Sequence, residues 1–284
     1  MRESTAGTVM VFVAAAGFGT IGIFGEIAAS INLELATLLP VRFGIATVVV
    51  GTLAGIRGWS YPTTKRDWLV TLSLGVVYTG MTLFYFVALR YLTAGLTTII
   101  LYTYPAIVIG LSTVFLNENI TYTKIAALTL AMAGVGLVVG TNTAGADPLG
   151  VALALGAAAC YAIYTAGSRH LSSSISPNGL MLGILVGTTG SMLVFGVLDT
   201  GLAVPVGRDE WGVIIGMVVL STVLPLLLFY EGVSRLEASR VAVISTVEPV
   251  VTVTLGATLL DEPLTPFVVA GGILVIGAVL LTQY

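Results

Sequence analysis

The chain is divided into apolar runs of about 20 residues, and loops of only a few residues separate most of these runs. A helix rises about 1.5 Å per residue, so runs of this length cross the roughly 30 Å hydrocarbon layer of a bilayer. Helices also satisfy all backbone hydrogen bonds within the segment, as lipid requires. Charged residues make up only 9% of the chain, against about 25% in soluble domains. We therefore predict an all-α, polytopic membrane protein.

Loops and turn residues delimit ten candidate transmembrane helices. Since the connections between them are short, we expect no extramembrane domain. The first run is too long for the core of a signal peptide and is predicted to span the membrane. The predicted bounds are 6–29, 33–56, 68–89, 94–116, 123–140, 149–171, 178–198, 211–233, 238–260 and 266–282.

Lysine and arginine are concentrated in alternate loops, which predicts the orientation by the positive-inside rule. An even number of spans places both termini on one side, and we predict that this side is the cytoplasm of a bacterial inner membrane. The inner side then carries Arg2, Arg57, Lys65, Arg66, Lys124, Arg169, Arg235 and Arg240, and the outer side carries Arg90 and Arg208.

The two halves of the chain resemble each other. "FYFVALRYL" from Phe84 aligns with "FYEGVSRLE" from Phe229, and "YPAIVIGLSTVFLNENIT" aligns with "EPVVTVTLGATLLDEPLT". The period corresponds to five spans, and because five is odd the second copy is inverted. We predict two inverted five-helix repeats, residues 1–141 and 142–284, in one integrated membrane domain. Secondary transporters are commonly built this way, with the substrate near the membrane midplane.

The ten spans in two repeats, together with short motifs, resemble the EamA-type drug/metabolite transporter superfamily. The motifs are "RF" at Arg42–Phe43 in the second span, and a proline followed after a helix by "NENIT" or "DEPLT". Within the superfamily, the chain looks most like bacterial aromatic amino-acid exporters. The resemblance implies a central cavity lined by helices 1–4 and 6–9, with helices 5 and 10 at the ends, and export across the inner membrane.

Glu248 and Pro249 stand in the middle of the ninth apolar run. A charged side chain at mid-bilayer costs roughly 3 kcal/mol on insertion scales, so Glu248 should face a cavity or a partner. Pro249 leaves the carbonyl of Ser245 without its helical donor and predicts a kink. Two interpretations are open: Glu248 and Ser245 bind an ammonium group or a proton, or a protonated Glu248 holds neighbouring helices together.

Pro105 occupies the matching position of the first repeat and predicts a second kink. Two kinks at related positions indicate hinges or gates, although membrane helices also tolerate proline without such a role. Arg42 is the one basic residue well inside a span. It could bind a substrate carboxylate, or it could pair with an acid such as Glu26 or with helix-end carbonyls.

Aromatic and hydroxyl side chains recur at helical spacing and are predicted to line the cavity. A buried tyrosine hydroxyl needs a hydrogen-bond partner, which a polar cavity supplies. Membrane-interface belts do not explain tyrosines in the middle of spans. The predicted lining residues are Tyr78, Thr82, Tyr85, Tyr102, Tyr161, Tyr164 and Phe18.

The functional prediction is a secondary transporter that exports amino acids, aromatic or hydrophobic ones and also small neutral ones, by alternating access around a central cavity. An exporter of drugs or cationic metabolites is the alternative, because Glu248 and aromatic rings also suit a cation. An enzyme is disfavoured, since the single histidine and single cysteine, without an HExxH motif, cannot form a protease site. We expect no cofactor, metal or nucleic acid, and partners limited to a small-molecule substrate and the lipid bilayer. A monomer suffices to enclose the site.

Overall fold

The computed structural model describes residues 2–92, 94–139, 147–198, 204–259 and 265–281. This part of the chain contains α-helices and one π-helix, and no strand. The α-helices are α1 (Arg2–Ser30), α2 (Leu35–Arg57), α3 (Lys65–Ala88), α4 (Ala94–Leu101), α5 (Tyr104–Phe115), α6 (Tyr122–Val139), α7 (Pro148–Leu171), α8 (Pro177–Leu198), α9 (Arg208–Val218), α10 (Leu224–Val233), α11 (Ala238–Ser245), α12 (Val247–Leu259) and α13 (Pro266–Leu281). The π-helix Val219–Val223 joins α9 to α10.

The helices correspond to the ten predicted spans, which confirms the all-α, ten-span architecture. Three of the spans are interrupted: α4 and α5 form the fourth, α9, the π-helix and α10 form the eighth, and α11 and α12 form the ninth. Within the described residues, seven helical segments are long and apolar enough to cross a membrane, and α5, α6 and α13 are shorter apolar helices. The first span begins at Arg2, four residues before the predicted position.

Several helices begin with the capping residues that their sequences supply. Thr64 and Asp67 form a reciprocal capping box at the start of α3. At the start of α7, the Asp147 carboxylate accepts hydrogen bonds from the Leu149 and Gly150 amides at 2.7 and 3.3 Å. Such caps satisfy amide groups that have no intrahelical partner. Both caps lie at loops, which fixes the points where the chain enters the apolar layer.

The two repeats pack against each other through small residues. Any side chain at Gly75 of α3 would collide with the α8 backbone near Ile184 and Thr188. Gly187 of α8 lies equally close to the α3 backbone at Leu72. Lipid provides no hydrophobic drive for helix association, so close backbone approach and van der Waals contact must hold such pairs together.

The spans divide into a central bundle and a peripheral pair. Most of the main core lies in the first four spans and the sixth to ninth spans, and the fifth and tenth spans add Val135, Val275 and Val279 to it. The fifth and tenth spans, α6 and α13, pack chiefly on each other and share a small separate cluster. This arrangement matches the one that the superfamily resemblance implies. The predicted boundary between the repeats, at residues 141 and 142, lies outside the described residues.

Candidate functional site

Glu248 lies in the first turn of α12, directly after the break in the ninth span. Its side chain keeps some accessible surface, whereas Val247 and Pro249 on either side are buried. Within the described residues, Glu248 forms no salt bridge. The acid is therefore held at the helix break without a basic partner among the described residues.

The break in the ninth span leaves the Ala242 carbonyl without its helical donor, and the predicted release of the Ser245 carbonyl by Pro249 stays a prediction. The amide of Thr246 donates to the Val243 carbonyl at 3.1 Å, one residue short of the α-helical pattern. The Ala242 carbonyl instead accepts a hydrogen bond from the Tyr104 hydroxyl at 3.2 Å. The Tyr104 hydroxyl is also hydrogen-bonded to the Ser245 side chain. A tyrosine of the first repeat thus stabilises the broken helix of the second.

The fourth span is broken at the matching place, before Pro105. The Tyr102 amide still donates to the Thr98 carbonyl at 2.9 Å, but the Thr103 amide turns to the Ile100 carbonyl at 3.0 Å. α5 then starts at Tyr104 with Pro105 in its first turn. Proline is well tolerated there because the first-turn amides have no intrahelical acceptor. Both predicted kinks are therefore complete interruptions of the helix, and their role as hinges or gates stays a prediction.

Tyrosines from both repeats surround the Glu248 carboxylate. The Tyr102 side chain is hydrogen-bonded to it. The tyrosines within electrostatic range of the carboxylate are Tyr78, Tyr85, Tyr102, Tyr104 and Tyr161. These side chains come from α3, the break in the fourth span, and α7. We call Glu248, Ser245 and these five tyrosines the carboxylate site.

An aromatic stack extends the carboxylate site towards α10. Tyr104 stacks on Tyr161 with ring centroids 4.1 Å apart, and Tyr164 lies 5.1 Å from Tyr78. The hydroxyls of Tyr164 and Tyr230 share a hydrogen bond of 2.8 Å in a buried environment. Rings in contact are preferentially offset or tilted, as most of these are. These rings connect four spans, the third, fourth, sixth and eighth, beside Glu248.

Arg42 lies in a different environment from the carboxylate site. Its guanidinium is almost fully buried and donates from Nε to the Thr222 hydroxyl at 2.7 Å and from Nη2 to the Ser221 carbonyl at 3.0 Å. Both acceptors belong to the π-helix of the eighth span. Arg42 forms no salt bridge among the described residues, with Glu26 or with any other acid. Its observed contacts are those of a helix-stabilising residue.

The remaining predicted lining residues are at the margin of the carboxylate site. Phe18 contacts the edge of Phe229 at a centroid distance of 6.0 Å. Thr82 donates to the carbonyl of Tyr78 in its own helix at 3.1 Å. Tyr85 shares a hydrogen bond with the Thr98 hydroxyl at 3.2 Å. The structure thus brings Glu248 together with most of the predicted tyrosines. Among the described residues, Thr82, Phe18 and Arg42 have no recorded contact with Glu248, although Arg42 is within electrostatic range of Tyr78.

Two central tyrosines, Tyr104 and Tyr230, are absent from the predicted lining residues. The alignment of the two repeats nevertheless identifies both tyrosines as candidates, because each aligns with a predicted site residue. Tyr104 aligns with Glu248, and Tyr230 aligns with Tyr85. In a molecule with two-fold pseudo-symmetry, residues at matching positions meet near the axis, so the partners of predicted site residues are candidates themselves.

A polar cavity of about 750 Å³ opens at the end of the molecule that the charge distribution predicts to be cytoplasmic. We call it the vestibule. Its walls come from the loops that join the fourth span to the fifth and the eighth span to the ninth, and from the end of α7. Its charged lining residues are Glu118, Lys124, Arg169, Glu237 and Arg240.

Hydrogen bonds between α5 and α11 separate the vestibule from the carboxylate site. The Glu118 carboxylate accepts from the Ala238 amide at 2.8 Å and from the Ser239 hydroxyl at 2.5 Å. Ser239 also shares a hydrogen bond of 3.0 Å with Ser112. We call these contacts, with the Tyr104–Ala242 bond, the seam. It joins the first repeat to the second.

The EamA-like transporter family matches the chain twice, over residues 5–140 and 148–284. The chain belongs to this family. The double match covers both predicted repeats and nearly the whole sequence. This EamA-like protein is accordingly a membrane transporter built from two repeats.

Relatives in this family support the same assignment. An uncharacterised transporter of Archaeoglobus fulgidus is 33% identical over 196 residues, which cover 68% of each chain. The threonine/homoserine exporter RhtA of Escherichia coli K12 is 26% identical over 231 residues, 79% of this chain and 74% of RhtA. The uncharacterised transporter YcbK of Bacillus subtilis is 27% identical over 280 residues, 93% and 88% of the two chains.

A solved crystal structure has the same fold as this EamA-like chain. The two superimpose with a TM-score of 0.85 at 18% sequence identity, covering 98% of this chain and 96% of the other. At this identity the likeness shows the fold alone.

Proposed function

We propose that this protein is a secondary transporter of the inner membrane that exports neutral amino acids by alternating access. The single observation that carries the proposal is the carboxylate site, where Glu248 stands at a helix break among tyrosine hydroxyls of both repeats. Its position between the repeats is where inverted-repeat transporters bind substrate. The relationship to RhtA favours small neutral amino acids among the substrates.

The chemistry of the carboxylate site suits the ammonium group of an amino acid. A carboxylate without a basic partner attracts a cation strongly in a low-dielectric interior. Aromatic faces such as the Tyr104–Tyr161 pair add cation–π attraction and contact for an uncharged side chain. In an export cycle, Glu248 binds either the ammonium group of the substrate or a proton. One carboxylate would then couple substrate export to proton movement.

The broken helices support a conformational cycle around this site. The fourth span of the first repeat and the ninth span of the second are both interrupted near Glu248, at Tyr102–Thr103 and at Thr246. Helix breaks let the two halves of a span reorient separately, which suits gates on opposite sides of a midplane site. In the described conformation, the seam separates the carboxylate site from the vestibule.

The test is amino-acid transport by purified protein in liposomes. Threonine, methionine and phenylalanine are compared with a quaternary ammonium cation, with and without a pH gradient. We expect uptake of amino acids, and we expect Glu248→Gln to abolish it because the ammonium partner is lost. Glu231→Gln is the matched control, since Glu231 is a more exposed acid of the neighbouring α10 that pairs with Arg235.

The outcomes separate the alternatives. Transport of the organic cation alone would contradict the amino-acid assignment and favour a drug or cationic-metabolite exporter. Normal transport by a correctly folded Glu248→Gln variant would contradict the role of Glu248. Loss of pH-gradient dependence in Glu248→Gln, with transport retained, would show that Glu248 carries the proton and not the substrate.

A further inference from the structure

The acids of the vestibule are already occupied by contacts within the protein. Glu118 caps the start of α11 and is only 8% exposed. Lys124 lies between the two acids, 3.4 Å from Glu118 and 3.0 Å from Glu237. The negative charges of both acids are thus paired with the positive charge of Lys124.

Two arginines of the vestibule have no such compensation. Arg169 donates to the Ser172 hydroxyl at 3.1 Å, and Arg240 donates to the Ser4 hydroxyl at 3.2 Å. In the part of the chain that the structure describes, no carboxylate lies within ion-pair distance of either guanidinium. The Nε of Arg240 is shielded from solvent and has no hydrogen-bond partner. Arginine offers five donors in a planar fork that matches a carboxylate, and most of these donors are unused here.

The vestibule also lies directly outside the seam. Ile109 and Val243 form part of its wall, and Val243 is adjacent to Ala242, whose carbonyl binds Tyr104. The seam therefore extends from the vestibule, which Glu118 and Ser239 line, to the Tyr104–Ala242 bond near the break in the ninth span. Its volume of about 750 Å³ is ample for an amino acid.

We propose that the vestibule is an entry site that binds the carboxylate group of the substrate through Arg169 and Arg240. This inference rests on the proposed function, because it takes a zwitterionic amino acid as the ligand. The two sites would then bind opposite ends of the same molecule: the arginines bind the carboxylate first, and Glu248 binds the ammonium group after the seam opens.

The experiment measures ligand protection of a cysteine placed in the vestibule. Ser173, an exposed lining residue, is replaced by cysteine in a Cys160→Ala background. The labelling rate with a small thiol reagent is measured in phosphatidylcholine nanodiscs. Threonine is compared with 1-amino-2-propanol, which resembles it but lacks the carboxylate. We expect threonine at saturation to slow labelling about fivefold and the amine to have no effect.

Variants test whether the two arginines are responsible. Arg169→Gln and Arg240→Gln should each lose protection, and Arg240→Lys should retain part of it because the charge remains. Arg235→Gln is the matched control: Arg235 lies on the same side but outside the vestibule lining and pairs with Glu231 at 3.0 Å. Protection that persists in both glutamine variants would overturn the assignment of these residues.

The result is read together with the transport assay. Transport of threonine without protection in the vestibule would overturn the entry site and leave the proposed function intact. Protection without transport would support the site and overturn the export function. Failure of both would overturn both proposals. Slow labelling in phosphatidylglycerol nanodiscs without threonine would show that a lipid phosphate occupies the arginines, and would overturn the substrate assignment.

Discussion

Arg42 illustrates how a charge deep in a membrane protein can be held without an acid. Its guanidinium donates to a hydroxyl and a carbonyl of the π-helix and packs over the Phe43 ring at 4.9 Å. The Ser221 carbonyl is available because the residue four positions later is Pro225, which has no amide to donate. The Thr222 hydroxyl in turn donates to the Met217 carbonyl at 2.9 Å. One side chain of the first repeat thereby stabilises an irregular turn of the second.

Replacing Arg42 by glutamine should lower the free energy of unfolding by about 2 kcal/mol, since hydrogen bonds to charged groups contribute on this order. Arg42→Lys should lower the free energy of unfolding by less, because the lysine ammonium group can reach one of the two acceptors but cannot bind both at once as the guanidinium does. Denaturation in mixed micelles measures both effects. Arg66→Gln is the control at an exposed position, and an equal loss there would contradict the role given to Arg42.

A residue of the carboxylate site could be predicted from the sequence where its polarity differs from that of the apolar run around it. Glu248 is conspicuous because an acid inside an apolar run is costly, and the cost itself indicates an interior position. Tyr104 violates no pattern, since a tyrosine next to a proline is unremarkable in an apolar helix. Its importance arises from a hydrogen bond to Ala242, 138 residues away in sequence. Such a partner follows from the three-dimensional packing and not from local sequence.

The interrupted helices differ in how visible they are in the sequence. Pro105 and Pro249 each remove an amide donor, so interruptions in the fourth and ninth spans follow directly from the residues. The eighth span also contains a proline, Pro225, but the chain continues there as a π-helix followed by α10. A π-turn keeps the span continuous by shifting each bond one residue further along. It therefore leaves no signal in hydropathy or length.

Pro249→Ala should reduce the transport rate about tenfold while leaving the protein as stable as wild type or more stable. Alanine restores the amide that can bond to the Ser245 carbonyl, which favours a continuous and stiffer ninth span. Initial transport rates and unfolding midpoints are measured together. Pro266→Ala is the matched control, because Pro266 starts α13, where a missing amide costs nothing. If Pro249→Ala transports at the wild-type rate, the role of Pro249 as a hinge is contradicted.

The architecture as a whole followed from the sequence more readily than the site did. Lipid enforces helices of about 20 residues, so hydropathy alone located all ten spans to within a few residues. The alignment of the two halves also predicted the inverted repeats. The close contacts at Gly75 and Gly187 depend on which face each helix turns inward. That rotation is set by neighbouring helices, and so a single sequence does not reveal it.

Glu118→Ala should open the seam towards the vestibule. It removes the carboxylate that binds two amides and a hydroxyl at the start of α11. The readout is the labelling rate of Thr246→Cys in a Cys160→Ala background, since Thr246 is fully buried at the helix break. We expect labelling about fivefold faster than in the parent. Glu237→Ala is the control, because in the described part of the chain the Glu237 carboxylate pairs with Lys124 and does not cap α11. Equal acceleration there would argue against a gate.

The π-helix gives the two halves of the molecule unequal roles. In an alternating-access cycle of identical inverted repeats, the inward-facing and outward-facing states would exchange by symmetry and have the same free energy. Among the residues that the structure describes, the π-turn lies in the second repeat alone, and the arginine that binds it lies in the first. The inward-facing and outward-facing states therefore differ in free energy. Each 1.4 kcal/mol of difference changes the ratio of their populations about tenfold. The resting transporter should favour one side of the membrane, and the labelling rates at Thr246 with and without Glu118 would report by how much.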